Sequence, residues 1–171
     1  MIYFLPNGPS PTTAAQAAVT TGTAIKTMLQ VKLNASATNT GKIVEWGISF
    51  DGSAAATPIK CELLTTSTVK ATITEYVAAD IINLDPNAPA TTDDNPFAFG
   101  AAGDESGYTA TAEGAIGATR MFDAQLVAPT NQYVKQFPLG REPQFKPAEF
   151  LRIRVTAGAA VNCYCYVVVE A

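Results

Sequence analysis

Residues 150–171, FLRIRVTAGAAVNCYCYVVVEA, restrict the possible folds more than any other stretch of the chain. Leu151, Ile153 and Val155 alternate with Arg152 and Arg154. After a small-residue link, Ala157-Gly158-Ala159, a second alternation begins. Val161, Cys163, Cys165, Val167 and Val169 fall in one phase, and Asn162, Tyr164, Tyr166 and Glu170 mostly fill the other. A period of two in β-branched and aromatic residues marks half-buried strands. Two such runs across a short glycine-containing link predict a hairpin, with a three- or five-residue loop keeping both apolar sets on one face. In that register Arg152 and Arg154 lie beside the rings of Tyr164 and Tyr166. A two-stranded ribbon is not stable alone, so the remaining chain must supply sheets to cover it.

The same period recurs upstream. Residues 23–33 place Ile25, Leu29, Val31 and Leu33 opposite Lys26, Gln30 and Lys32. In KIVEWGISF (42–50), Val44, Trp46, Ile48 and Phe50 share one face. Glu45, Gly47 and Ser49 take the other, and Gly47 permits a bulge or a close backbone approach. Trp46, the single tryptophan, reads as a core anchor rather than a stacking platform. Further strands are expected at 58–64, 68–77, 115–122 and 132–137. Pro138, Pro143 and Pro147 exclude a central strand between 138 and 148. About eight strands, no helix and one long crossing predict an all-β, jelly-roll-like antiparallel β-sandwich, in preference to an immunoglobulin-like one. The sandwich domain spans residues 23–171.

Two segments fall outside this pattern. Residues 1–22, rich in Pro, Thr and Ala, predict an extended N-terminal arm. Its apolar tip, Ile2, Tyr3, Phe4 and Leu5, must dock on its own domain or on a neighbour. Deleting residues 1–20 is expected to leave a folded domain that binds its partner less well. Residues 78–113 form a long acidic loop with acid pairs at Asp93-Asp94 and Asp104-Glu105. Between residues 71 and 119 there is no Lys or Arg, yet eight of the fifteen acids fall there. Loops of that length inside a compact domain are commonly functional or disordered. Phe97, Phe99 and Tyr108 in so polar a setting suggest that part of the loop is pinned against protein. Together with the tip residues they are the candidate interface residues.

Chemistry is hard to find in this sequence. Histidine is absent, which removes the commonest general base and every Ser-His or Cys-His pair. Three cysteines imply no closed disulfide framework and read as small buried hydrophobes. Neither a phosphate loop nor a G-x-S-x-G, H-E-x-x-H or C-x-x-C motif occurs. The acidic loop lacks the D-x-D-x-D-G spacing of a calcium site, and flexible carboxylates lack the packed setting that tunes catalytic acids. No enzyme, metal or cofactor is therefore expected. A formal net charge of −4 argues against nucleic-acid partners. No segment has the ~20 apolar residues of a membrane helix, so no membrane partner is expected either. The opening residues lack the basic leader of an export signal, and the apolar run stops at Pro6. Only 15 % of residues are charged, against roughly 25 % in ordinary soluble proteins, a depletion shared with interface cores.

Four stretches carry a resemblance: TAIKTMLQV at 23–31, KIVEWGISFDGSAAATPIKCELL at 42–64, QYVKQFPLGREP at 132–143 and the terminal LRIRVT…VNCYCYVVVE. Together they resemble small structural proteins of tailed bacteriophages, the capsid decoration (cement) proteins. The resemblance implies a β-sandwich, often trimeric, that clamps neighbouring major capsid protein subunits on the outer capsid surface of the virion. A carbohydrate-binding module or phage adhesin using exposed aromatics is the alternative expectation.

Overall fold

The computed structural model describes residues 1–35, 40–53, 56–87, 95–100, 105–114 and 117–171. Two antiparallel sheets face each other and do not close into a barrel. The first sheet contains β1 (Ile2–Pro6), β4 (Gly41–Phe50), β7 (Ile82–Asn83), β10 (Gln132–Gln136) and β13 (Asn162–Glu170), in the order β10-β4-β13-β1-β7. Two short strands attach to it, β2 (Val19–Thr20) on β13 and β11 (Gln144–Phe145) on β4. The second sheet contains β3 (Ile25–Lys32), β5 (Ile59–Thr66), β6 (Thr72–Glu75), β8 (Gly107–Ala112), β9 (Arg120–Val127) and β12 (Phe150–Thr156), in the order β6-β8-β3-β12-β5-β9. A single 3-10 turn, Ala78–Asp80, links β6 to β7.

Setting aside β6, β8 and the two-residue strands β2, β7 and β11, eight strands remain in two sets, β1-β13-β4-β10 and β3-β12-β5-β9. The chain crosses between sheets at nearly every step, which is the winding of a jelly roll. The acidic segment is the connection after the fourth of these strands. It contributes β7 to one sheet and β8 to the other.

The terminal hairpin is not formed. β12 pairs with β3 and β5, and β13 with β4, β1 and β2. The link at 157–161 carries the chain from one sheet to the other. Facing each other lets the two apolar sets cover one another, whereas side by side they would need a third layer. Leu151, Ile153 and Val155 thus oppose Cys163, Cys165, Val167 and Val169, all buried. Trp46, Ile48, Leu63 and Leu5 complete the same core. A bulge where β4 meets Val168 and Val169 shifts the phase of β4, so Ile43 turns inward and Val44 is left half-buried.

Arg152 and Arg154 lie far from the tyrosines, on the outer face of the second sheet, and both are buried. The expected strand at 68–77 shortens to β6, because the chain first crosses that outer face. Arg152 holds it there, donating to the carbonyl oxygens of Val69 (2.6 Å) and Glu113 (3.2 Å). Arg154 Nε donates to Glu62 Oε2 at 3.0 Å, and Lys60 pairs with the other Glu62 oxygen at 2.9 Å.

The apolar tip docks on its own domain, and it does so as an integral strand rather than as an arm. β1 lies inside its sheet, between β13 and β7, with Tyr3 and Leu5 buried. Asn7 continues the ladder with its side chain: Nδ2 donates to the Cys163 carbonyl (3.1 Å), and Oδ1 accepts from the Cys165 amide (3.0 Å). Residues 8–18 carry no strand. Removing residues 1–20 would therefore take out a structural strand together with Leu5 and Asn7.

Candidate interaction site

The seven residues singled out from sequence divide sharply. Tyr3, Leu5 and Phe97 are buried in the core, where Tyr3 meets Phe97 edge-on at 5.2 Å. Phe97 is fixed by a bridge to Leu33 and by its amide donating to Asn95 Oδ1 at 3.0 Å. Phe99 and Tyr108 are half-buried against the same core, and Tyr108 packs on Tyr76 at 5.6 Å. Tyr3, Leu5 and Phe97 hold the fold together and are out of a partner's reach, whereas Phe99 and Tyr108 keep part of their surface accessible. Phe4 is half-buried on the outer face of the first sheet, and Ile2 is exposed. Asp93, Asp94 and Asp104 lie outside the described residues; Glu105 pairs with Lys32 at 2.7 Å.

Three surface features stand out. The first is an aromatic strip on the outer face of the first sheet. Tyr166 stacks on Phe4 (5.0 Å, 27°), and its ring lies against Gly47, where a Cβ would fall 2.5 Å from Tyr166 Cε1. Gly47 is thus the close approach that its place in the alternation suggested. The Tyr166 hydroxyl donates to Glu45. Burial, reinforced by that carboxylate, pushes the phenol up to about 12. Tyr164, exposed, donates to the Gln16 carbonyl at 2.7 Å. Phe4, Gln16, Ser49, Val134, Tyr164 and Tyr166 line a shallow depression of about 140 Å³. Gln16 Nε2 is buried there without a hydrogen-bond partner.

The second feature is the edge formed by β9 and β10. Asp123, buried, closes the gap between the sheets by accepting from Trp46 Nε1 (3.2 Å), the Tyr133 hydroxyl (2.9 Å) and Gln125 Nε2 (3.2 Å). Lys135 pairs with it at 3.3 Å. Burial alone would raise this carboxyl, but the bonds from Gln125 and Tyr133 and the charge of Lys135 hold it below the usual range. Around this seal Met121, Leu126, Val134 and Leu139 stand exposed, Leu139 almost wholly at 98 %.

The third feature is the opposite edge, formed by β6, β7 and the turn between them. Asp80, also buried, accepts from the backbone amides of Ser10 (2.8 Å) and Val77 (3.0 Å). The hydroxyl of buried Tyr76 donates to the Pro6 carbonyl. Ile2, Val77 and Leu84 are exposed here, and the Leu84 amide bonds the Ile2 carbonyl at 2.9 Å.

The three thiols are buried and free, and burial raises those of Cys61 (to about 12) and Cys165, so neither offers a reactive thiolate at neutral pH. The architecture defines an all-β jelly-roll sandwich, and the three features described above are surfaces. A scan against protein-family models and searches of curated proteins and of solved structures return no match for this chain.

Proposed function

We propose that this chain is a structural virion protein that binds the outside of an assembled phage capsid and stabilises contacts between major capsid protein subunits, acting as a homotrimer. The observation that carries the reading is the placement of its exposed large apolar side chains. Seven of them, Ile2, Val77, Leu84, Met121, Leu126, Val134 and Leu139, gather at the two edges of the sandwich. Such groupings on a chain with few charges suit contact with other protein surfaces. Binding the assembled lattice, and not its separated subunits, stabilises that lattice by the binding free energy. The test adds the purified chain to shells of the encoding phage from which it is missing. The expected outcome is saturable co-sedimentation and a higher disruption temperature. Shells that neither capture the chain nor gain heat resistance would reject the reading.

A second reading, a carbohydrate-binding or adhesin module, is favoured by one observation: the strip of Phe4, Tyr164 and Tyr166 on the outer face of the first sheet. Sugar rings stack on exposed aromatic faces. A glycan array tests it. Binding to any glycan that Tyr164→Ala abolishes would support this module over the capsid reading.

A further inference from the structure

Asn7 is followed by Gly8, the one Asn-Gly pair in the chain. Asparagine before glycine is a chemically unstable pair in a free polypeptide. With no side chain at the next residue, nothing hinders the Gly8 backbone nitrogen from attacking the Asn7 side-chain carbonyl carbon. Glycine's freedom in φ and ψ also lets the chain bend into the ring. The new N–Cγ bond forms as the Cγ–Nδ2 bond breaks, and the side-chain nitrogen leaves as ammonia with the proton from the Gly8 amide. Water then opens the cyclic succinimide at either carbonyl, giving aspartate or, where the main chain now runs through Cγ, isoaspartate. Water is the only co-reactant.

The fold holds Asn7 out of this reaction. Its carboxamide is fully buried and bonded at both ends, Nδ2 donating to the Cys163 carbonyl and Oδ1 accepting from the Cys165 amide. Its backbone amide donates to the Cys165 carbonyl at 2.9 Å. Turning Cγ onto the Gly8 nitrogen breaks both side-chain bonds and strands two buried backbone groups of β13, which is costly while the sheet is closed. A second labile pair, Asp51-Gly52, is guarded differently: there the attacking nitrogen is itself occupied, the Gly52 amide donating to the Pro129 carbonyl at 2.7 Å.

We propose that Asn7-Gly8 is a deamidation site opened only by release of the N-terminal strand, and that the modification makes this release irreversible. In aspartate an acceptor oxygen replaces Nδ2 opposite the Cys163 carbonyl oxygen, across the 3.1 Å now spanned by a hydrogen bond. A carboxylate then sits where the side chain is fully buried, an unfavourable place for an unpaired charge. Isoaspartate lengthens the backbone by one carbon and likewise leaves a carboxylate in place of the carboxamide. Either product removes the donor that continues the β1–β13 ladder, so a strand that has left and reacted does not return.

The experiment incubates the full chain at mildly alkaline pH in native buffer and, in parallel, in guanidinium chloride. Peptide mapping by mass spectrometry reads conversion at residue 7, and tryptophan fluorescence after dilution reads the fraction that refolds. Asn7 should convert in denaturant, and at least about tenfold more slowly in native buffer, where only opened molecules react. Refolding yield in the denatured sample should fall in step with that conversion. Gly8→Ala hinders ring closure and leaves the Asn7 bonds in place. Its added Cβ comes nearest the Gln16 side chain, 2.8 Å from Nε2, an atom with no hydrogen bond to lose by moving. This variant should keep its refolding yield through the same incubation, which separates Asn7 from damage elsewhere in the chain. Asn7→Asp, made directly, should unfold at a lower denaturant concentration than wild type. Equal conversion with and without denaturant, or none in denaturant, would overturn the proposal. So would converted chains that refold as well as fresh ones, a Gly8→Ala chain that loses yield as fast as wild type, or an Asn7→Asp chain with the wild-type midpoint.

Discussion

At the β9–β10 edge the gap between the sheets is closed by side chains converging on Asp123: an indole, a phenol, an amide and an ammonium group. At the β6–β7 edge the acid at the corresponding place, Asp80, is held by two backbone amides. One of these, from Ser10, lies just beyond the strand and ladder formed by residues 2–7. The contrast separates two kinds of dependence. The first edge depends on a charge and the partners that solvate it, and the second on the N-terminal strand being in place.

Removing that strand is the harshest way to break the comparison. Deleting residues 1–8 should abolish cooperative unfolding, because β13 loses its main neighbour on one side and β7 its only strand partner among the described residues. A milder version, Leu5→Ala, should cost about 2–5 kcal/mol in denaturant titration. A truncated chain that melts like the full one would show that the second edge does not need β1.

Exchanging the two acids sharpens the contrast. Asp123→Ala leaves the buried Trp46 Nε1 donor without an acceptor, at about 1–3 kcal/mol, and also releases the half-buried Tyr133 hydroxyl. Asp80→Ala removes an acceptor for two amides beside a surface turn, closer to the loss of a helix cap at about 1 kcal/mol. Denaturant titration of both variants should rank Asp123 above Asp80; the reverse order would refute the assignment of roles.

A gentler probe is pH. Asp123 has a folded-state pKa held below its unfolded value, so its contribution is fully present above about 3.9 and is lost as pH falls through the folded value. Melting temperatures of wild type and Asp123→Asn should therefore differ most at neutral pH and converge in acid. Glu62, also held low by Lys60 and Arg154 against the upward push of burial, is common to both proteins and cancels in the difference. A gap that is constant from neutral pH into acid would contradict the ionised role of Asp123.

The smallest effect on stability is expected at the exposed apolar positions. Leu126→Asp with Leu139→Asp should change unfolding free energy by no more than about 0.5 kcal/mol per site.

The fold class was readable because alternation reports one buried face per strand, and β3, β4, β5, β10, β12 and β13 all carry it. Partner choice was not readable from the same signal. A period of two is indifferent to whether two apolar faces lie side by side or oppose each other, so β12 and β13 looked like a hairpin. Arg152 and Arg154 looked like neighbours of Tyr164 and Tyr166 because the hairpin register put them there, and alternation cannot register the segment 67–71, which crosses over Arg152. In the N-terminal tip, Tyr3 and Leu5 do alternate with Ile2 and Phe4, but the run stops at Pro6 after too few residues to stand out. Phe97, Phe99 and Tyr108 do pack against protein, as apolar residues in so polar a segment suggested, and that packing takes Phe97 out of reach of a partner. The two edges had no signal at all, since an edge exists only once the strand order does. The aromatic strip left a partial trace, the phase of Tyr164 and Tyr166, but its third member, Phe4, joins it across β13.

The most direct test of the central claim, that the chain works through its edges on repeated copies of protein, is its position in a density map of purified particles. The expected map shows many copies on the outer shell, with the β9–β10 or β6–β7 edge of each in contact with protein. Particles without the chain, or isolated copies with both edges facing solvent, would contradict it.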